Sequence, residues 1–203
     1  IKTLSGVQAA AFGDKITAFS DVQIAAFSAS GTAGLTTTQI AALSATQAGA
    51  LTSTQVAALT SKQLAVLSKP ALEAFSPAQI AALKPAAVVG FTNDQIGALS
   101  KDQIAALGAA QLTTLKAAQI GALTSDQLEM LSPGQMAGLT GAQIATLSTD
   151  KVQMLSAEQI AALAPRAITG LTTGQISALS GGQVNALTNA QLTALTASQV
   201  GVL

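Results

Sequence analysis

The sequence predicts an all-α solenoid, a superhelix of very short capped helices with one helix per octapeptide repeat. Three observations predict it. A leucine or phenylalanine recurs every eight residues along the chain. A Ser/Thr-x-x-Gln box opens most of the octads. The prolines fall at the start of that box.

The period comes first, because self-similarity at a fixed spacing decides the fold class. From Leu35 to Leu203 the register holds without a slip, and (203 − 35)/8 gives 21 octads. It continues back through Phe27 and Phe19. One unit, 13–19, has seven residues, and the register resumes at Phe12 and Leu4. That makes 25 units in one array spanning 1–203. The consensus is [Ser/Thr]-x-x-Gln-[Ile/Val/Leu]-x-Ala-Leu, as in residues 52–59, TSTQVAAL.

Each position has a physical reading. Ser/Thr at position one and Gln at position four form a capping box, in which the hydroxyl accepts the N3 amide and the N3 side chain reaches back. Leu before the cap and Ile/Val/Leu at position five are the two halves of a hydrophobic staple. Pro77, Pro85, Pro133 and Pro165 stand at position two, the first helical residue, where proline is favoured. Pro70 falls one residue later. Asp94, Asp102, Asp126, Asp150 and Glu158 at position three suit the positive end of a helix dipole.

A new helix therefore starts in every octad. One continuous helix would turn its apolar stripe by roughly 80° per repeat and bury prolines in its interior. The alternative is a β-solenoid on short repeats. Ala, Gln and Leu are helix formers, and a three–five spacing of the apolar residues is not the alternation of a strand. Two large apolar side chains cannot offset the ordering of eight residues, so octads must stack. Positions five and eight are expected in the core. Position seven, mostly small, is expected at a close helix contact, and position six in solvent.

A second order overlies the first. The consensus Gln is replaced at Ala71, Ala87, Lys151 and Ala167, two pairs 80 residues apart. Residues 76–100 match 156–180, and 20–44 resemble both. The copies of this cassette lie near 13–44, 68–100 and 148–180. Duplication accounts for them; a bend or contact in the superhelix is the sharper reading. The chain opens inside an octad without Met, so we expect a processed product or a fragment. Neither end carries a polar terminal repeat, so we expect a window from a longer array or ends that stack head to tail.

Composition removes most chemistry. Of 203 residues none is Cys, His, Trp or Tyr, nine Lys/Arg balance nine Asp/Glu, and 9% are charged. Disulfides, Cys/His zinc sites and Ser-His-Asp or Cys nucleophiles are excluded. Zero net charge argues against nucleic acid as a partner. At 49% hydrophobic the chain is not of disordered composition. Polar residues interrupt every apolar run, so no membrane insertion is expected, and no signal peptide is visible.

No catalytic, cofactor-binding or metal site is expected, and no cofactor. Asp14 with Lys15, Lys101 with Asp102 and Asp150 with Lys151 are expected to be solvated surface pairs. Met130, Met136 and Met154 are expected to pack in the core rather than ligate haem. Phe12, Phe19, Phe27, Phe75 and Phe91 replace Leu at position eight and are expected in the core, not as a base-stacking platform. The hydroxyl ladder suits an ice-binding face, but its oxygens are committed to helix amides as caps.

The run Leu51 to Ala58, Leu-Thr-x-x-Gln-Val-x-Ala, resembles the opening helix of TAL-effector repeats. The whole array resembles more closely the Ala/Thr/Gln-rich octapeptide arrays of large secreted bacterial exoproteins, adhesin-like or haem-utilization-like. That resemblance implies extracellular or cell-surface display. The expected function is structural and not enzymatic: a fibre, stalk or filament subunit that self-associates end to end or laterally. The alternative is an adhesin-type binding module whose positions two, three and six meet a surface protein or glycan. Ice binding is a minor alternative.

Overall fold

The computed structural model describes residues 4–203. Among them are 24 α-helices of four to six residues and one 3-10 helix, with no strand, so the β-solenoid alternative falls. The chain divides into two compact units, Ile1–Leu107 and Gly108–Leu203. Each is a helical repeat solenoid.

One octad shows why these residues make this element. Thr52 is extended (φ −70°, ψ 157°) and its Oγ1 accepts the Gln55 amide at 3.3 Å. Gln55 Oε1 accepts the Thr52 amide at 2.7 Å, completing the box. The helix Ser53–Val56 follows. Other octads run through the helix into an extended leucine, such as Leu99 at φ −60° and ψ 140°. The chain thus turns by joining a helix to a short extended link, both in ordinary regions of backbone space. A positive φ at a helix end is not needed: among the described residues it occurs only at Gly13. Helices begin at Pro77, Pro85, Pro133 and Pro165, as position two requires, and Pro70 is the second residue of Lys69–Glu73.

The stacking follows one rule in both units. In the first, helix Ala45–Gly49 packs on Lys69–Glu73, and Ser53–Val56 on Pro77–Ala82. In the second, Ala117–Gly121 packs on Gly141–Ile144, and Pro133–Ala137 on Ala157–Ala162. Each partner is three octads further on. Side-chain bonds reach four octads back, as from Gln55 to Phe27. One turn of the solenoid therefore takes between three and four octads.

Positions five and eight form the core. Ile40, Val56, Leu64, Ile80 and Ile96 line it in the first unit, and Leu128, Ile144, Ile160 and Ile168 in the second. The last octads open outward: Leu192, Val200 and Leu203 are exposed. Position six faces outward, as at Glu73, Glu129, Gln153 and Asn185. Position seven is the close contact. A Cβ added at Gly138 would touch Thr113 Oγ1 at 3.1 Å and Ala109 Cβ at 3.4 Å, both three octads earlier.

The methionines correct the sequence expectation in part. Met136, at position five, is fully buried. Met130 and Met154, at position seven, are 42% and 46% exposed. Position seven admits only small residues beneath the neighbouring turn, so a long side chain there turns out to solvent. Of the phenylalanines, Phe27, Phe75 and Phe91 are buried, whereas Phe12 and Phe19 are half-buried. Phe12, Phe19 and Phe27 form one aromatic cluster, with centroids 4.9 Å apart for Phe12–Phe19 and 5.8 Å for Phe19–Phe27.

The seven-residue unit is the 3-10 helix Gly13–Ala18, opened by Gly13 at φ 53°. Its tighter winding takes up the missing residue. Ile16 still reaches the core.

Candidate functional site

The feature that recurs through both units is the position-four glutamine. From Gln39 onward it is buried, with Gln55 1% exposed and Gln191 fully buried, whereas Gln8 and Gln23 are exposed. A primary amide offers one acceptor group and two N–H donors, and this one uses both ends. Oε1 accepts the amide of its own cap residue. Nε2 donates to main-chain carbonyls in the preceding turn of the solenoid.

In the first unit Gln55 Nε2 donates to Ile24 O at 2.8 Å and Phe27 O at 3.0 Å. Gln95 does the same to Leu64 O (2.9 Å) and Leu67 O (2.8 Å), and Gln103 to Leu72 O (3.0 Å) and Phe75 O (2.7 Å). Gln79 reaches Gly49 O and Leu51 O. In the second unit Gln143 holds Leu112 O and Leu115 O, both at 2.8 Å. Gln191 holds Ile160 O and Leu163 O, again at 2.8 Å. The acceptors lie four octads back: the position-eight carbonyl together with the position-five carbonyl, which already accepts the position-eight amide of its own octad, or, for Gln79, the position-six carbonyl of Gly49. These glutamines thus cap the start of one helix and the end of another, whereas Gln8 and Gln23 form the local box alone.

Where the seven-residue unit disturbs the register, the clamp adapts. Gln39 Nε2 donates to Ala9 O, Ala10 O and Gly13 O, each at 3.2 Å, so Gly13 stands in for the position-eight carbonyl of Phe12.

The units lacking Gln behave differently. Lys151 replaces the clamp with a cation: Nζ donates to Gly121 O at 2.8 Å. This corrects the reading of Asp150 and Lys151 as a solvated pair, because Lys151 is half-buried and spent on a carbonyl. Asp14, Lys15, Lys101 and Asp102 are exposed as expected. An ion pair does join Lys69 and Glu73, at 3.8 Å, one turn apart on a single helix. In the octad 28–35, with Gly31 at position four, Ser28 Oγ donates to Leu4 O at 3.2 Å.

These substituted octads share a second trait. Those with Gly31, Ala87 and Ala167 carry glycine at position seven: Gly34, Gly90 and Gly170. A Cβ on Gly90 would fall well inside 3.0 Å of Ser61 O, and one on Gly170 inside 3.0 Å of Gly141 O. The backbones of successive turns touch there. The cassette is therefore also a contact in the solenoid: glycine brings the octad onto the helix three octads back, and the clamp to the fourth is absent. Beside Ala87 lies an open surface depression of about 290 Å³, lined by Ala58, Thr60, Ser61, Lys84 and Ala86 among others.

Titratable chemistry is sparse. Among the described residues no group of three or more carboxylates could hold a metal ion. The Glu158 carboxyl is held below its ordinary range by its own main-chain amide and by the Ser156 hydroxyl. It is a first-turn carboxylate on a helix start, fully exposed. No helix of the described residues is long and apolar enough to cross a membrane.

Comparison with known proteins agrees with this geometry at the level of the repeat. The matching family model is the ALTTAQ repeat. It matches residues 33–61, 72–109 and 104–141. The six letters of ALTTAQ map onto the seam between two octads, as in Ala186-Leu187-Thr188-Asn189-Ala190-Gln191. In structural terms they are a small contact residue, a core leucine, a cap, two exposed residues and the clamp. No curated protein matches the chain. Among solved structures, the leucine-rich repeat-containing protein LegL7 from Legionella pneumophila is similar at 11% identity and a TM-score of 0.22, over 96% of this chain and 78% of that one.

Sequence reading placed Gln at position four but assigned it only the cap. One signal bears on the second role. Glutamate closes a capping box as well as glutamine does, yet position four is never Glu in this chain. A role for the donor nitrogen explains that choice.

Proposed function

We propose that this ALTTAQ-like array is a structural element of an extracellular or cell-surface assembly, a fibre or stalk subunit that associates with further copies end to end. The observation that supports it is the buried glutamine clamp, which ties each turn to the one before through main-chain carbonyls. Main-chain acceptors are the same whatever occupies positions two, three and six. A further turn of octads, from the same chain or another copy, can therefore be added without new side-chain recognition. Low charge and abundant Ser, Thr and Ala leave little repulsion to oppose close association. The proposal assigns no enzymatic role.

Negative-stain electron microscopy of the purified protein over a concentration series tests this. Fibres of uniform width at high concentration are the expected result. Isolated particles at every concentration would overturn self-assembly and favour the adhesin-type reading, a binding surface offered to a protein or glycan.

A further inference from the structure

Gln8 and Gln23, in the first turn of octads, use only one end of the carboxamide. Each accepts the amide of its own cap residue through Oε1, and among the described residues no carbonyl takes the Nε2 donors. Lys15, just before the core residue Ile16, stands at position four of the unit between them and is exposed. Its counterpart Lys151 donates to Gly121 O, at position six four octads back. The last turn of octads shows the reverse. Gln191 and Gln199 hold Leu163 O and Leu171 O, whereas among the described residues Leu179 O, Leu187 O and Leu195 O accept from nothing. The core is open at both places: Phe12 and Phe19 are half-buried in the first turn, and Leu192 is exposed in the last. Residues 172–203 carry no charged side chain, so no ammonium there opposes Lys15.

We propose that these two faces are the halves of a head-to-tail joint between copies of this chain, in which three side chains of one copy clamp carbonyls of the next. This names the contact behind the end-to-end association proposed above and rests on that reading. Carried across the joint, the four-octad offset sets octad 5–12 of one copy over 172–179 of the second, unit 13–19 over 180–187, and octad 20–27 over 188–195. Gln8 Nε2 then donates to Ile176 O and Leu179 O of the second copy, Gln23 Nε2 to its Leu192 O and Leu195 O, and Lys15 Nζ to its Asn185 O. By sequence, 1–4 and 200–203 are the same half-octad, so the count is unchanged whichever of them completes the octad between. The three-octad contact carries over as well. Ala11 at position seven falls over Gly181 at position two, where an added Cβ meets nothing within 4 Å. The joint removes apolar core residues from water on both sides and pairs donors with acceptors that the single chain leaves to solvent.

Sedimentation velocity over a concentration series, on the full chain and its variants, tests this. Q8E/Q23E keeps Oε1 and the local box but replaces both donors with carboxylates that face carbonyl oxygens at the joint. G181W blocks the opposite face by filling open space. Each is expected to melt as the parent does and to need at least tenfold higher concentration to assemble. G181W carries the test alone if Q8E/Q23E melts early. Each variant retains the face that the other lacks, so an equimolar mixture is expected to form one-to-one pairs and nothing longer. T54E/Q153E adds the same two charges at exposed positions three and six and is expected to assemble like the parent. Parent assemblies that neither Q8E/Q23E nor G181W weakens would overturn this joint and leave end-to-end association standing through another contact. An equal loss in T54E/Q153E, or a mixture that stays monomeric, would overturn the joint as well. A parent that is monomeric at every concentration would overturn both the joint and the association.

Discussion

Gln55 Nε2 lies 2.8 Å from Ile24 O, a carbonyl 31 residues earlier in the chain. The same side chain accepts the Thr52 amide through Oε1. A local cap and a long-range clamp are therefore one residue, and each end of its amide limits what may replace it. Gln55→Glu keeps the acceptor and loses the donor, placing a carboxylate against carbonyl oxygens in a buried site. Such an uncompensated buried charge costs roughly 3–5 kcal/mol. Gln55→Leu, which forfeits the bonds without adding charge, is expected to cost about 1–3 kcal/mol.

The Glu variant carries a pH signature that the Leu variant lacks. Burial raises the folded carboxyl above its unfolded value of about 4.3. The folded state then binds the proton more tightly than the unfolded state. Stability is highest below the unfolded value and falls as pH rises from there through the folded one. Urea unfolding of both variants at pH 4 and pH 7 checks this. Equal losses at both pH values for Gln55→Glu would show that the carboxylate does not face the carbonyls of the preceding turn.

The glycines divide into those that permit contact and those that do not. Gly90 lies against Ser61 O, so Gly90→Ala must force two backbones apart, at about 1–3 kcal/mol. Gly181 opens a helix with nothing within 4 Å of an added Cβ. Gly181→Ala is expected to be neutral or to stabilise by up to about 1 kcal/mol. Thermal unfolding of the two variants side by side reads the difference; a loss at position 181 as large as at position 90 would contradict it.

Lys151 tests whether the cassette units can return to the common pattern. Lys151→Gln is expected to reach Ile120 O and Leu123 O, the position-five and position-eight carbonyls four octads back. Stability should be unchanged or raised, within about 1 kcal/mol. Lys151→Ala removes the bond to Gly121 O and should lower stability by a similar amount. Hydrogen exchange in segment 120–124 gives the local reading: slower than the parent in Lys151→Gln, faster in Lys151→Ala.

What could be read in the sequence and what could not divides by distance along the chain. Caps, first-turn prolines and acids, and the core positions are relations within eight residues, and residue types record them directly. The partner of Gln55 is a main-chain carbonyl 28 or 31 residues away. Backbone acceptors carry no residue type, so the pairing leaves no motif beyond the refusal of Glu. Gly34, Gly90 and Gly170 are legible only as a recurring residue until the turns are stacked. Their contact with the octad three earlier then gives the cassette a packing role. Position seven misled for the methionines for the same reason: its depth is set by the octad three away.

That geometry predicts unequal oxidation. Met136 sits at position five, fully buried, whereas Met130 and Met154 sit at position seven, nearly half exposed. Peroxide attacks thioethers according to access, and the sulfoxide it forms is polar. Under mild peroxide Met130 and Met154 should oxidise together, well ahead of Met136, with helix content retained because neither supports the core. Oxidation of Met136 should instead accompany loss of structure, since a sulfoxide replaces a fully buried apolar side chain on a helix packed against Ala157–Ala162. Peptide mass spectrometry against time, with circular dichroism on the same samples, separates the two classes. Met136 oxidising at the rate of the other two in folded protein would mean that position five is not sealed.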